Sequence, residues 1–364
     1  MLLAPLYEWQ RAAGAKFVPF AGWELPIQFQ GVIAEHQAVR TQVGIFDISH
    51  MGRLILQGSR VREQLQALVP TDLGRLQPGE SQYTVLLTEQ GTILDDVICY
   101  CQTETQWLLI VNAARRQADW DWLAAHLKQT QMHDWGGSHV LLAIQGPASL
   151  PHLQALCGED LSTLKRFQHR QVTLGDPDQT SAFVARTGYT GEDGFEVMVP
   201  PAAGLWLWQT CVERGIPPCG LGSRDTLRLE AALHLYGQDM DTTTTPLEAG
   251  LGWLVHWQKG EFMGRQALEQ QKSQGIPRQL VGLQVLGRDI ARPGYPIYSP
   301  GGEVIGRVTS GTKSPSLGIP IALGYVPVAL AGPGTRVEIG IRQQRVAAEV
   351  VKRPFYRSPA PAPR

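Results

Sequence analysis

Residues 181–199 read SAFVARTGYTGEDGFEVMV. Apolar and β-branched residues stand at both ends of this stretch, around a centre rich in glycine, and the pattern predicts two antiparallel strands joined by a tight turn. Helical patterns follow at residues 205–213 and 223–231, the second behind a turn at 219–222. A hairpin followed by helices is typical of the α+β class, which is the fold class that we predict.

The chain before this hairpin has the same mixed character. Short β-rich pieces are separated by turn residues at 47–58, 85–87, 94–101, 107–112 and 140–144. Between residues 112 and 130, apolar residues at helical spacing are interspersed with charged ones and predict an amphipathic helix. This part of the chain therefore also indicates an α+β fold.

The character of the chain changes after Gly264, where Gly, Pro and β-branched residues become frequent. Strands are predicted near residues 280–285, 304–310, 321–325 and 336–350. A separate all-β domain is therefore expected at the carboxy terminus. The Pro/Ala-rich residues 358–364 after it are expected to be a frayed tail.

The overall composition limits the classes of function. Lys plus Arg number 32 and Asp plus Glu number 33 among 364 residues, so no overall field would draw the protein to nucleic acid or to an anionic membrane. No apolar stretch approaches the roughly 18 residues of a membrane span, and residues 1–10 carry no leader pattern. We expect a multidomain enzyme with neither nucleic acid nor membrane as a partner.

The cysteines indicate a reducing compartment. There are five of them, an odd number, and none belongs to a Cys-x-x-Cys pair or lies at zinc-finger spacing from a histidine. Reduced thiols in a cytoplasmic protein fit this pattern best. No metal site is expected.

Asp95 and Asp96 are adjacent in GTILDDVICY, residues 91–100, a stretch that is otherwise apolar enough for a core strand. Because side chains alternate along a strand, the two carboxylates must point to opposite faces, and at most one of them can line a pocket. Unpaired buried carboxylates are costly and tend to be functional. The alternative is a turn at the start of the strand, in which both carboxylates cap backbone amides.

A third carboxylate, Glu196, interrupts the apolar strand predicted at residues 195–199. In such a place a carboxylate is paired with a cation or reserved for a ligand that presents two parallel N–H donors. The glycine-rich turn at 187–194 permits close approach of backbone to a ligand, but it lacks the Gly-Lys-Ser/Thr of a phosphate loop. The alternative is an outward-facing glutamate on a half-exposed strand.

Other charged residues allow a structural interpretation. Arg224 and Arg228 are four residues apart and share one face of the predicted helix, where surface salt bridges would explain them. His36, Arg40 and His50 form no recognisable catalytic set, and an isolated histidine is more often structural. The residues alone therefore indicate an enzyme with carboxylates in apolar strands and do not specify its reaction.

An ordered set of short motifs resembles the glycine cleavage T-protein family. Each motif is weakly specific, but together they occur in order and cover nearly the whole chain. They are residues 5–7 (PLY), 20–23 (FAGW), 35–40 (EHQAVR), 44–51 (GIFDISHM), 91–96 (GTILDD), 145–147 (QGP), 187–196, 220–230, 309–311 (TSG) and 314–318 (SPSLG).

The resemblance implies three domains in a cloverleaf around a central channel, the last of them a small β-barrel. Applied to this chain, it gives a discontinuous folate-binding domain of residues 1–50 and 146–260, an α+β domain at 51–145 that carries the Asp pair, and a barrel domain at 265–357. The change of composition near Gly264 agrees with the last boundary.

The resemblance also implies an activity, that of the aminomethyltransferase of a glycine cleavage system. Such an enzyme takes the aminomethyl group on the lipoyl arm of H-protein, releases ammonia, and passes the carbon to tetrahydrofolate as the 5,10-methylene form. The implied partners are lipoylated H-protein and tetrahydrofolate, the latter as a substrate and not as a tightly held cofactor.

The resemblance places Glu196 at the pteridine edge of folate, whose adjacent amine and ring N–H suit a bidentate carboxylate. Arg224, or else Arg228, would hold that carboxylate or the pteridine carbonyl. The other implied contacts are Tyr189 and Met51 on the flat ring, Tyr83, Tyr100 and Asn112 along the pocket, and Tyr356 or Arg357 at the glutamyl tail.

The catalytic role falls on the Asp pair, because loss of ammonia leaves a cationic carbon that a carboxylate would stabilise. Asp96 is preferred over Asp95, both from the resemblance and because it shares the parity of Tyr100 on the strand.

Relatives with the same fold leave two alternatives open. A folate-dependent demethylase would share Glu196 but would need a closed pocket for a small donor. A folate-binding assembly factor for iron–sulfur proteins would carry a cysteine in a Lys-Gly-Cys-Tyr motif, whereas residues 235–240 read LYGQDM here. At 364 residues, no fused oxidase domain is expected.

Overall fold

A computed structural model of the protein describes residues 1–359, so residues 360–364 of the tail expected to fray lie outside the described part. The α-helices are α1 (Tyr7–Ala12), α2 (Val32–Thr41), α3 (Val61–Leu68), α4 (Arg116–His126), α5 (Ser149–Gln154), α6 (Pro201–Glu213), α7 (Leu221–Glu230) and α8 (Arg265–Gln274). The strands up to the barrel are β1 (Leu2–Leu3), β2 (Lys16–Phe20), β3 (Trp23–Gln28), β4 (Gly44–Asp47), β5 (Gly52–Gln57), β6 (Glu80–Leu87), β7 (Ile93–Thr103), β8 (Gln106–Val111), β9 (Gln131–Asp134), β10 (Val140–Gln145), β11 (His169–Thr173), β12 (Ser181–Ala185), β13 (Gly194–Val199) and β14 (Pro218–Cys219). Those of the barrel are β15 (Arg278–Val285), β16 (Pro296–Tyr298), β17 (Val304–Lys313), β18 (Pro320–Pro327), β19 (Arg336–Ile341) and β20 (Gln344–Val351).

Two large sheets form the body of the molecule. The six-stranded sheet has the order β11-β12-β13-β10-β4-β14, and the five-stranded sheet has the order β6-β7-β8-β5-β9. All strands of the five-stranded sheet come from residues 52–134, between strands β4 and β10, which are neighbours in the six-stranded sheet. The chain therefore leaves one sheet, completes the other, and returns. A small three-stranded sheet, β1-β3-β2, lies at the amino terminus.

The two large sheets pack against each other through a shared apolar cluster. Ile55 and Leu108 of the five-stranded sheet meet Leu141, Phe183 and Met198 of the six-stranded sheet in this cluster. Each sheet buries its other face under helices, in two further cores. The inner faces of the two sheets are therefore where side chains of β7 and β13 approach one another.

Strand alternation decides which side chains reach this space. On β13, Phe195 and Val197 face the core under the helices, so Glu196 points the other way, towards the five-stranded sheet. On β7, Val97 and Cys99 belong to the outer core of that sheet, whereas Tyr100 belongs to the shared cluster. Asp96 has the parity of Tyr100 and Asp95 does not.

The carboxy-terminal strands form a closed barrel in the order β15-β18-β17-β16-β19-β20. The predicted α+β class and the carboxy-terminal β-barrel are thereby confirmed. Residues 265–274, which the change of composition assigned to the all-β part, form helix α8. A glutamine-rich helix has little apolar periodicity, and the glycines and prolines that follow it dominated the composition of this region. The division into domains stays a prediction.

The end of α7 joins the barrel to the rest of the molecule. The carboxylate of Glu230 is fully buried and accepts hydrogen bonds from the guanidinium of Arg40, at 3.0 and 3.1 Å. The hydroxyl of Ser314 and both the amide and the hydroxyl of Ser316 also donate to it, and His36 Nε2 lies 3.2 Å away. We call the following residues the α7–barrel junction: His36, Arg40, Arg228, Glu230, Asp239, Ser310, Ser314 and Ser316.

Among residues 1–359, no helix is long and apolar enough to cross a membrane.

Candidate active site

Glu196 lies in the middle of β13, opposite Ala143 on one side and Ala185 on the other. These small neighbours leave its carboxylate uncovered by side chains of its own sheet. Its Oε2 accepts hydrogen bonds from the hydroxyl of Thr187 at 2.6 Å and from that of Tyr100 at 3.3 Å. Within the described residues no donor reaches Oε1. A buried carboxylate with one oxygen unused can still accept hydrogen bonds from a ligand.

Arg224, on the first turns of α7, supplies a cation beside this carboxylate. Its guanidinium lies over the ring of Tyr189, 4.7 Å from the ring centre. Burial lowers the pKa of Arg224, while the charges of Tyr189 and Glu196 oppose that shift. No hydrogen bond engages its guanidinium in residues 1–359, so its donors, like Glu196 Oε1, are available to a ligand.

His50 lies on the far side of Arg224, packed edge-on against Phe20. Burial lowers the pKa of His50 to about 3, and the positive charges of Arg224 and Arg53 add to the effect. The imidazole is therefore neutral at physiological pH, and it does not compete with Arg224 for an anionic ligand.

Asp96 is held on β7 by two donors. The hydroxyl of Tyr83 donates to Oδ2 at 3.1 Å, and the side-chain amide of Asn112 donates to Oδ1 at 2.8 Å. Burial is the main reason that the pKa of Asp96 is raised to about 7, and the two hydrogen bonds oppose the shift. Asp96 therefore exchanges its proton near neutrality, as a general acid or base requires.

Asp95 points to the opposite face of the strand and has no exposed surface. Its carboxyl group accepts the backbone N–H of Asn112 at 3.0 Å and the side-chain amide of the same residue at 2.9 Å. One asparagine amide thus contacts both members of the pair. Both aspartates lie within β7, not in a turn before it, so the alternative of two turn caps is wrong. The catalytic role of either aspartate stays a prediction.

Two tyrosines, Tyr83 and Tyr189, are neighbours of Asp96. Tyr189 donates its hydroxyl to the backbone carbonyl of His234, which fixes the ring below Arg224. The charge of Asp96 raises the pKa of Tyr189, after burial, so the two groups are neighbours. Tyr83 stacks on Trp253 with ring centres 6.4 Å apart and an interplanar angle of 26°.

Trp253 is a residue that the sequence did not indicate. Its side chain is 61% exposed although it stacks on a residue of the site. It lies in the short 3₁₀ turn Gly252–Leu254, in a region with neither strand nor helix periodicity. The sequence offers there only a tryptophan in the apolar run LGWLV, residues 251–255, and a tryptophan in such a run usually marks a core position. Met51, which was predicted, is partly buried against the shared apolar cluster.

Arg228 is buried but fully engaged elsewhere. Its Nε donates to Asp225 at 2.8 Å, its Nη1 donates to Asp239 and to the carbonyl of Leu233, and its Nη2 donates to Ser310 of β17. These hydrogen bonds use four of the five N–H donors of the guanidinium, and the fifth, on Nη2, lies beside the carboxylate of Asp225. Arg228 could hold a ligand only by giving up one of them.

Tyr356 and Arg357 are not brought into contact with the carboxylates of the site. The ring of Tyr356 covers the guanidinium of Arg40 at 4.1 Å, and its backbone N–H donates to the carbonyl of Glu230 at 2.9 Å. Arg357 follows it with an exposed side chain. Their predicted contact with the glutamyl tail of folate stays a prediction.

Two protein families match the chain. Residues 6–259 match the GCVT N-terminal domain, and residues 278–357 match the glycine cleavage T-protein C-terminal barrel domain. The second match coincides with the closed barrel that begins with β15. Together the two families account for most of the chain.

Similar proteins of the same length carry one name. The aminomethyltransferase of Prochlorococcus marinus (strain MIT 9313) is 56% identical over 98% of this chain and 98% of its own, and that of Picosynechococcus sp. is 54% identical over 97% and 98%. The crystal structure of the glycine cleavage system aminomethyltransferase T from Bartonella henselae is similar, with a TM-score of 0.93 and 36% identity over 100% of this chain and 99% of that one. The chain therefore belongs to the glycine cleavage T-protein family of aminomethyltransferases.

Proposed function

We propose that this aminomethyltransferase transfers the methylene carbon of an S-aminomethyl dihydrolipoyl arm, carried by H-protein, to tetrahydrofolate. In the reaction the carbon–nitrogen bond breaks and ammonia leaves. The carbon–sulfur bond also breaks, and the carbon becomes bound to two folate nitrogens in 5,10-methylenetetrahydrofolate, while the dihydrolipoyl thiol is freed. Tetrahydrofolate is a substrate in this scheme and is not a resident cofactor.

The observation that carries the proposal is the half-used carboxylate of Glu196. A reduced pteridine presents an exocyclic amine and a ring N–H side by side on one edge, next to a carbonyl oxygen. Glu196 offers an oxygen without a donor to that edge, and the neighbouring Arg224 offers unused N–H donors that suit the carbonyl. Tyr100 and Thr187 hold the carboxylate in place from behind. Glu196 and Arg224 thus match the donors and the acceptor of the pteridine edge, respectively.

Asp96 is the proposed catalytic residue. A carbon that loses ammonia while still bound to sulfur gains positive charge, and a nearby carboxylate lowers the energy of that state. The same carboxylate can take the proton that a folate nitrogen sheds when it forms a bond to carbon. A pKa of about 7 suits both tasks, because the ionised form is well populated at neutral pH and still accepts a proton.

The finer assignments rest on the same family membership. We propose Tyr83, Tyr189, Met51 and Asn112 as pocket residues and Tyr356 or Arg357 as contacts of the glutamyl tail. We also propose the three domains at 1–50 with 146–260, at 51–145 and at 265–357. A cytoplasmic location fits the five cysteines, all of which are unpaired thiols.

The experiment that tests the function follows ammonia and 5,10-methylenetetrahydrofolate formed from aminomethylated H-protein, with and without tetrahydrofolate. We expect both products to form in equal amounts, and ammonia release to be much faster with tetrahydrofolate. The matched control is H-protein without its lipoyl arm, which should give no product. Folate binding without either product would contradict the proposal and favour a folate-dependent demethylase.

A further inference from the structure

A third buried carboxyl group lies behind the Asp pair. Asp119 is on α4, and only 1% of its surface is exposed. Its Oδ2 is completely buried and receives no hydrogen bond from any N–H or hydroxyl group of the described residues. A buried oxygen without a donor is rare in folded proteins, because it loses its hydrogen bonds to water and gains none. This oxygen needs a donor.

Asp119 and Asp95 are placed so that their carboxyl groups can share a hydrogen bond. Two ionised carboxylates cannot form such a bond, since neither carries a proton and their charges repel. The other contacts of Asp95 are two donors of Asn112, which satisfy its oxygens and supply no donor for Asp119. A proton on one of the two carboxyl groups is therefore what completes the arrangement.

We propose that Asp119 is a positioning residue, which holds a proton on Asp95 and so keeps Asp95 uncharged next to the carboxylate of Asp96. The inference rests on the proposed role of Asp96 in the reaction. Asp119 itself touches no substrate in this proposal. It acts through the protonation state of Asp95.

The groups around Asp95 and Asp119 are consistent with one negative charge on the two carboxyl groups together. Arg115, which precedes α4, faces Asp119 and lies over the ring of Tyr236, at 5.6 Å from its centre. One cation is thus available for one anion. The remaining titratable neighbours are Tyr236 on the following loop, Tyr83 on β6 and Asp96 itself. Burial raises the pKa of Asp95 well above its usual range, and the charge of Asp119 raises it further, as a shared proton requires.

The arrangement has a consequence for the reaction. Asp96 is next to Asp95 in the strand, and a charge on Asp95 raises the pKa of Asp96. With a proton held on Asp95, that charge is absent and the pKa of Asp96 is lower. The protonation state of Asp95, held by Asp119, therefore helps to set the pH above which Asp96 is ionised.

The first test is infrared spectroscopy of the full-length enzyme, because the carbonyl stretch of a protonated carboxyl group is distinct from that of a carboxylate. We expect a protonated-carboxyl band that persists well above neutral pH, after Asp96 has lost its proton. Asp95→Asn should remove this band. Absence of a persistent band from the wild-type enzyme would overturn the proposal, and so would its survival in folded Asp95→Asn.

The second test is the pH profile of kcat for Asp119→Asn. Without its anionic partner, Asp95 ionises, and we expect the acidic limb of the profile to move to higher pH by about one unit. The matched control is Asp121→Asn on the same helix, whose exposed carboxylate contacts only Gln117 at 2.9 Å and should leave the limb in place. An unchanged limb or a shift to lower pH in Asp119→Asn would overturn the proposal.

The two tests separate this inference from the proposed function. If Asp96→Asn retained full turnover, the proposed catalytic role of Asp96 would fail, and the infrared band would still decide whether Asp119 and Asp95 share a proton. If Asp96→Asn were inactive and the band were absent, only the inference about Asp119 would fail.

Discussion

The α7–barrel junction and the candidate active site both bury carboxylates, but they treat them in opposite ways. In the junction, Glu230 receives charged or hydroxyl donors on both oxygens, including two from Arg40. In the site, Glu196 receives two hydroxyl donors on a single oxygen. Both oxygens of Glu230 are therefore occupied by donors of the protein, whereas Glu196 keeps one oxygen that can accept hydrogen bonds from a ligand.

The pKa values follow the same division. Burial opposes ionisation of Glu230, but the hydrogen bonds from His36 and Ser314 outweigh it and lower the pKa of its carboxyl group to about 2. For Asp96, burial outweighs its two hydrogen bonds, and its pKa rises to about 7. A satisfied carboxylate is permanently charged and structural. An under-satisfied one titrates where a reaction can use it.

The largest effect is expected for Arg228→Met, which leaves Asp239 buried without its cation. Breaking a buried pair in this way costs about 3–5 kcal/mol, and chemical denaturation should show the loss in the free energy of unfolding. The control is Arg60→Met, because Arg60 pairs with Glu63 on the exposed surface and its loss should leave unfolding nearly unchanged. A stable Arg228→Met with weakened folate binding would break the comparison and place Arg228 in the site.

The second-largest effect is expected for Asp96→Asn. The amide keeps the size of the carboxyl group but neither stabilises a cationic carbon nor takes a proton, so kcat should fall by about a hundredfold or more. The dissociation constant of tetrahydrofolate, measured by calorimetry, should change little because the pteridine edge contacts Glu196. Weaker folate binding with an unchanged kcat would reverse the two roles.

A smaller effect, on folate binding, is expected for Glu196→Gln. A charge-assisted hydrogen bond to a buried group contributes roughly 1.5–3 kcal/mol, so tetrahydrofolate should bind at least about tenfold more weakly. Glu338→Gln on barrel strand β19, where the glutamate is half-exposed, is the matched control and should bind folate as the wild type does. Equal affinities for the two variants would show that Glu196 has no part in folate binding.

The smallest effect is a pH dependence of the wild-type enzyme. The folded-state pKa of Asp96 is raised, so its carboxylate is present above about pH 7 and is lost as pH falls through that value. We expect kcat to fall about tenfold for each unit below this pKa, because only the ionised fraction reacts. Stability should change in the opposite sense. The folded state binds this proton more tightly than the unfolded chain, so the free energy of unfolding should rise as pH falls from about 7 towards 3.8.

The sequence allowed the site to be predicted where strand parity was sufficient. Period-two alternation predicted that Asp95 and Asp96 point to opposite faces, with Asp96 on the side of Tyr100, and the structure has these side chains on the predicted sides. The hairpin of β12 and β13 and most barrel strands were also predicted, because their turns are marked by glycine and their apolar residues alternate.

Helical spacing was less informative. Arg224 and Arg228 share a face of α7, yet one stacks on Tyr189 in the site and the other turns into the junction. The difference is made by Asp239 and Ser310, partners that are 11 and 82 residues from Arg228 in the chain. Long-range partners of this kind leave no local pattern. For the same reason the inward position of Asp119 on α4 was not predicted, since a charged residue on an amphipathic helix is normally on its exposed face.

The junction also bears on how the enzyme is made. A ribosome completes Arg228 and Glu230 well before it reaches Ser310, Ser314 and Ser316, so the growing chain carries partly unpartnered charges until the barrel emerges. We expect the helix that presents Arg224 to settle only then. The last quarter of the polypeptide would thus act as an assembly checkpoint, and a prematurely terminated chain would be a substrate for proteolysis and not a competitor for folate.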